Sequence, residues 1–301
     1  MTSLASPRRL GWTRLVRHRL ALASLVFLLV LLALSLAAPL IADLRDIDPA
    51  TTDLLRRLEP PSAEHWLGTD DLGRDLFQRL LDGGRVSMLV GLTGALLSAI
   101  VGALIGVVAG YLGGRLDSFL MRFTDGVISL PLLPLLIVLA AIDPRKLGIP
   151  AEVAQSETFS LYRIVLIVAL TGWTTAARLV RAETLSLKTR DFTRAAQALG
   201  ARPERIMFRH ILPNTAGSLI VATTLSIGTL ILLESTLSFL GLGTQPPAAS
   251  WGNMLTGAQE LLQQAPMLAL WPGLLIFLTV IAFNFVGDGL QDALDPRSER
   301  R

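Results

Sequence analysis

The sequence predicts an all-α integral membrane protein with six transmembrane helices, and three observations carry that prediction. Apolar residues make up 51% of the 301 and charged residues only 17%, with a mean hydropathy of +0.55, far from an ordinary soluble domain. Six apolar runs, each near the roughly 20 residues that cross a bilayer, alternate with polar segments. With six spans and both ends inside, the inner segments 1–19, 111–118, 181–216 and 289–301 hold 16 Lys and Arg, against 8 in the outer segments 43–85, 142–160 and 242–267. That is the asymmetry expected when basic loops stay in the cytoplasm.

The first apolar run, Leu20 to about Ala42, follows Arg8, Arg9, Arg14, Arg17 and Arg19. It is longer than the roughly 7 to 15 residues of a signal-peptide core, so a retained span is expected rather than a segment cleaved near residues 35–38. Residues 43–85 are polar, with ten acidic and six basic residues. Within them Leu72, Leu76 and Leu80 repeat at helical spacing behind the caps Thr69 and Asp70, which predicts an amphipathic helix along the outer face. It serves either as a contact for an external partner or as a connector. The second span, about 86–110, carries Gly102, Gly106 and Gly110 at four-residue intervals, with Ser98 on the same stripe. Small residues let helix backbones approach closely in lipid, so this is a packing face, within the chain or with a second subunit.

After a turn at 111–118, the third span, about 119–141, holds Arg122 and Asp125 three residues apart, placed to pair on one face. Pro131 and Pro134 predict a bend there, a pointer to a pore or gate. An outer loop at 142–160 leads to the fourth span, about 161–180. The fifth, about 217–241, ends around Glu234, either a site in the path or a carboxylate bonded to neighbouring helices. Residues 242–267, without Lys or Arg, form a partly interfacial loop around Pro246, Pro247 and Trp251. The last span, about 268–288, precedes a tail with Arg297, Arg300 and Arg301. The chain thus divides into residues 1–84, a transmembrane domain at 85–288 with its large loop at 181–216, and the tail at 289–301.

The polar island DFTRAAQALGARPERIMFRHILPN, 191–214, organises the rest. Phe192, Ala195, Ala196 and Leu199 share one helical face, Asp191 is placed to cap the start, and Gly200 suits a left-handed end. Pro203 opens a second short helix and Pro213 closes it at Leu212. Its arginines would suit DNA phosphates, but a short loop between two spans excludes a nucleic-acid partner and favours docking to a cytoplasmic one.

This island resembles the cytoplasmic coupling motif of ABC importer permeases, with Ala195, Ala196, Gly200, Leu212 and Pro213 in register. Arg194 stands where the family usually has Glu and His210 where it has Ile. RHILPN, with HWLGTDDLGRDLF (65–77), LLESTLSFLGLG (232–243), QPPAASWGNML (245–255) and GDGLQDALDPR (287–297), resembles the subfamily for dipeptides, oligopeptides and nickel, and within it the second, C-type permease subunit of a peptide transporter. The resemblance implies a type I importer fold with a cytoplasmic coupling helix, half of a pore in the bacterial inner membrane. It further implies a homologous second permease, two cytoplasmic ATPase subunits and a periplasmic or lipid-anchored solute-binding protein. Arg194, Ala195, Ala196, Gly200, His210, Leu212 and Pro213 would carry the coupling.

Other classes find little support. Without cysteine there is no thiol chemistry or cysteine-held metal, and His18, His65 and His210 are never spaced as metal ligands, so no metal site is expected. Neither Lys146 nor Lys188 follows a phosphate-cradling glycine loop, so no cofactor is expected in this chain and ATP with its Mg²⁺ belongs to partner subunits. An intramembrane enzyme lacks a reacting constellation, and a secondary transporter would require inverted repeats that the halves do not display.

Overall fold

A computed structural model of the chain describes residues 18–154 and 156–294. Arg8, Arg9, Arg14 and Arg17, and Arg297, Arg300 and Arg301 of the tail, lie outside them. The described residues are helical, with no strand beyond a single bridge between Thr69 and Asp75. Helices of eight residues or more are α1 (Arg19–Leu36), α2 (Ala38–Arg45), α3 (Leu76–Leu112), α4 (Gly114–Ser129), α5 (Leu132–Ala141), α6 (Glu157–Leu187), α7 (Asp191–Ala198), α8 (Pro203–Phe239) and α9 (Met267–Leu294). α1, α3, α6, α8 and α9 are each long and apolar enough to cross a membrane, and α4 with α5 make a sixth span if the bent pair counts as one.

The most extensive interface joins α3 to α6, and the glycine stripe makes it. A methyl group on Gly102 would lie 2.5 Å from the Trp173 carbonyl oxygen, one on Gly106 2.5 Å from that of Ala177, and one on Gly110 2.9 Å from that of Arg181. Only glycine permits backbones this close, so the stripe is spent on contact within the chain rather than on a second subunit. α8 and α9 pack beside this pair, and α1 lies on α9. Leu28, Val90, Leu136, Ile164, Val168, Ile231 and Phe283 fill the middle of the bundle. A second cluster around Trp251 closes one end, and a third around Val107, Val180 and Ile211 closes the end that carries the island at 191–214.

Four elements depart from expectation. The amphipathic helix predicted from Thr69 does not lie apart from the second span. α3 begins at Leu76, capped by Asp75 whose carboxylate accepts from Gln78 N–H at 2.7 Å, and runs unbroken to Leu112. Asp70 instead ties the preceding turn, accepting from the backbone N–H groups of Leu72 and Arg74. The turn predicted at 111–118 shrinks to Gly113, whose φ of 66° only glycine adopts without strain. Asp191 is the first residue of α7 rather than its cap, which is Arg190 without a side-chain bond.

The second short helix does not stop at Leu212. The backbone passes through a π-helical turn at Met207–Ile211 directly into the long span, with Leu212 N–H bonded to Met207 O. A proline inside an α-helix collides with the carbonyl four residues back and removes a donor. The wider turn relieves that collision, as such bulges do, and the Asn214 amide donates to His210 O at 2.6 Å in partial replacement. Island and span are therefore one rigid piece.

Candidate functional site

The island forms a bent knob. α7 ends with Gly200 N–H bonded to Gln197 O and Ala201 N–H to Ala196 O, the paired bonds of a Schellman turn, and Gly200 holds φ at 77°. Arg202 then stands extended ahead of Pro203, the first residue of the next turn. The side chain of Thr193 is fully buried and donates to Leu187 O at 2.9 Å, tying α7 to the end of α6. Ala196 and Ala201 pack against the cluster that holds Val107 of α3 and Val180 of α6, and Gln197 Nε2 donates to the Tyr111 hydroxyl at 3.3 Å.

The inward face of α7 is Thr193 and Ala196, and most of the apolar face shared by Phe192, Ala195, Ala196 and Leu199 is left open. Phe192 is 41% exposed and Leu199 88%, while Arg194, Ala195, Gly200 and Pro213 also face out and His210 and Leu212 are half-buried. An apolar side chain as open as Leu199, on a knob clamped from behind, is a surface left for something else.

The third span breaks where the prolines predicted. α4 and α5 meet at 86°, with the break at Leu130 and Pro131. Pro134 lies inside α5 and adds no second bend. Residues on both sides of the break, Ile128 and Leu132, line a cavity of about 680 Å³ that α3, α6 and α8 complete. The expected pairing of Arg122 with Asp125 is overturned. Asp125 accepts from Arg178 of α6 at 2.5 Å, and Asp117, nearer the knob, from Arg181 at 2.5 and 2.7 Å. On one helix the two residues were neighbours, but the longer reach across to α6 wins because it joins elements instead of curling along one. Arg178 was visible in the sequence as a charge inside the fourth span, the signal that ought to have singled it out.

Glu234 does not open onto that cavity. Its carboxylate is fully buried and accepts from the hydroxyls of Ser87 at 2.8 Å and Ser238 at 2.7 Å. Those two hydroxyls in turn accept from the backbone N–H groups of Trp251 and Thr244. The carboxylate thus gathers α3, α8 and the 242–256 segment into one node. Trp251, expected at an interface, is fully buried and donates from Nε1 to Leu80 O at 3.0 Å. Gly252 allows the approach, since a methyl group there would lie 2.5 Å from Ser235 Cα.

A second polar knot at this end was not anticipated. Asp75 accepts from both Nη atoms of Arg45, at 3.2 and 3.1 Å, and lies 3.0 Å from His65 Nδ1. The Arg45 guanidinium stacks 4.4 Å from the Trp66 ring, and Asp70 pairs with Arg74 and Arg79. The dense charge of HWLGTDDLGRDLF is thus consumed in fixing where α3 starts.

A bundle of apolar spans with a knob at one end and a cavity beside a broken helix defines a polytopic membrane protein. The chain belongs to the binding-protein-dependent transport system inner membrane component family, whose model matches residues 102–300. Residues 6–61 match the N-terminal transmembrane domain of oligopeptide transport permease C. Among its relatives, the oligopeptide transport system permease protein OppC of Bacillus subtilis is 38% identical over 93% of this chain and 86% of its own length. The dipeptide transport system permease protein DppC of Alkalihalophilus pseudofirmus is 39% identical, over 97% and 90%. The glutathione transport system permease protein GsiD of Pectobacterium atrosepticum is 39% identical, over 98% and 93%. The protein is a multi-pass inner-membrane transport component.

Proposed function

We infer that this chain is the C-type permease subunit of an ATP-driven peptide importer and forms half of its pore beside a homologous second permease. Two ATPase subunits dock at the knob, and a periplasmic or lipid-anchored binding protein delivers cargo at the opposite end. Both termini lie in the cytoplasm, in keeping with the twofold surplus of basic residues on the knob side. ATP and Mg²⁺ are held by the ATPases, and this chain carries no cofactor. The names of the relatives, for oligopeptide, dipeptide and glutathione transport, support peptide cargo, and no observation favours nickel.

The observation that carries this reading is the knob itself: Arg194, Ala195 and Leu199 exposed on a helix whose back is locked to α3 and α6 and whose far end continues into α8. A cleft closing on the exposed face as nucleotide binds would move the knob as a solid body. The unbroken path through the π turn then tilts α8 and switches access to the cavity, because packed elements pass on displacement that a floppy loop absorbs. Co-expression with a second permease, ATPase subunits and a binding protein, and purification through a tag on this chain, tests the reading. Two ATPase chains should co-purify, and proteoliposomes should take up peptide only with ATP. Uptake by the chain alone would contradict it.

A further inference from the structure

The cavity beside the broken span has a wall chemistry that names a ligand group. Thr171, Thr174, Thr223 and Ser226 line it, and each hydroxyl gives its proton to its own helix: to Val168 O at 3.1 Å, Thr171 O at 3.2 Å, Leu219 O at 2.7 Å and Thr223 O at 2.8 Å. A hydroxyl with its proton committed has only lone pairs left. These four positions therefore suit amide N–H and ammonium groups, while Ser98, Thr175 and Thr229 also line the cavity. Among the described residues lining the cavity, the one charged side chain is Arg178.

Arg178 is held by Asp125 through a single bond, with the two side chains 51% and 59% exposed. The neighbouring Arg181–Asp117 pair has two bonds and is 32% and 15% exposed. A single bond holds Arg178 to Asp125 where two hold Arg181 to Asp117, and it leaves most of the five guanidinium N–H donors uncommitted, so Arg178 is the one placed to take another carboxylate. A cavity of this volume also fits a short peptide.

We propose that Arg178 is a cargo-binding residue that takes the carboxylate of the transported peptide, and that Asp125 is the resident carboxylate which cargo displaces. The proposal rests on the transport reading above and adds the group recognised inside the membrane. The carboxylate is the α-carboxylate or an acidic side chain, and the cargo pair below separates these sources.

The test uses the whole reconstituted complex with an alanine-only peptide as free acid and as C-terminal amide. Each variant's uptake is divided by the wild-type rate for the same cargo, which cancels the receptor's own preference. Arg178→Gln should lower free-acid uptake about tenfold, the loss of one charge-assisted bond, and leave the amide nearly unchanged. Asp125→Asn should do the reverse for the free acid, lowering its KM. If Arg178→Gln instead spares the alanine free acid but slows peptides bearing Asp or Glu, the side chain is the source. A pair that merely braces α4 to α6 would make both variants fail alike on every cargo, and that result, or no change in either, overturns the proposal. Because the chain has no cysteine, Thr229→Cys on the cavity wall gives a second readout that does not need transport. Free acid should slow its labelling by a thiol reagent more than the amide does, and Arg178→Gln should abolish the difference; equal slowing by both in the parent also overturns it. A wild-type complex with no ATP-driven uptake of either cargo would fail the transport reading itself.

Discussion

Replacing Gly200 tests the stiffness of the knob with no collision inside the chain, and an asparagine control at the same exposed position separates stiffness from surface. Gly200 sits at φ 77°, and a methyl group built there meets nothing within 4 Å. Within the chain a side chain at this position therefore costs backbone strain alone. For an L-residue in the left-handed region that cost is about 1–2 kcal/mol, more for a β-branched residue and least for Asn. A penalty of about 1.4 kcal/mol shifts a two-state equilibrium tenfold, so the Schellman turn of Gly200→Val is frayed in much of the population. Purified complex should still hydrolyse ATP while uptake falls more than tenfold. Gly200→Ala should be intermediate and Gly200→Asn nearly normal. ATPase and uptake assays on one proteoliposome preparation read both quantities. Normal uptake by Gly200→Val, or equal damage from Asn and Val, would refute the reasoning.

Three further predictions concern the frame that carries the knob. Gly106→Ala places a methyl group 2.5 Å from Ala177 O, so α3 and α6 must separate at a cost of about 1–3 kcal/mol; the thermal midpoint in detergent should fall, whereas Gly126→Ala, with open space around it, should not lower it. Glu234→Ala strands the serine hydroxyls of the buried node, at about 1–3 kcal/mol for each unsatisfied group. Glu234→Gln keeps an acceptor, so midpoints should rank wild type, Gln, then Ala. Asp75→Asn breaks the buried pair with Arg45, whose partner side chains are 11% and 0% exposed, at about 3–5 kcal/mol. Its loss should show as a midpoint well below that of wild type, and a midpoint equal to wild type would remove the knot's structural role.

Much of the fold was legible because lipid imposes a simple rule, and long apolar runs obey it. The proline break at 131, the glycine face at 102–110 and the left-handed Gly200 were readable from local backbone chemistry. What was not readable depended on partners distant in sequence. Asp125 pairs with a residue 53 positions away, the glycine stripe gives no hint that α6 covers it, and Trp251 is buried because Leu80 and Ser87 come to meet it. At Thr69 and Asp70 the capping groups were spent elsewhere, Thr69 on the Glu59 N–H and Asp70 on the turn before α3, since Asp75 six and five residues later made the better cap. Pro213 read as a stop because a π turn that lets a helix run through proline has no sequence signature. On the knob, the small residues marked the right surface but not which alanine faced inward, a choice made by the cluster behind Ala196.

If a separate motor grips the knob, the cysteine-free chain allows that grip to be measured directly. Leu199→Cys, at a position 88% exposed, and Leu55→Cys at the opposite end, 97% exposed, are each crosslinked in the assembled complex with a short thiol-to-amine reagent. Position 199 should yield an adduct with an ATPase subunit, with a yield that changes between nucleotide-free and ATP-bound states, and position 55 should yield none. An ATPase adduct from position 55, or no adduct from position 199 in either state, would contradict the claim.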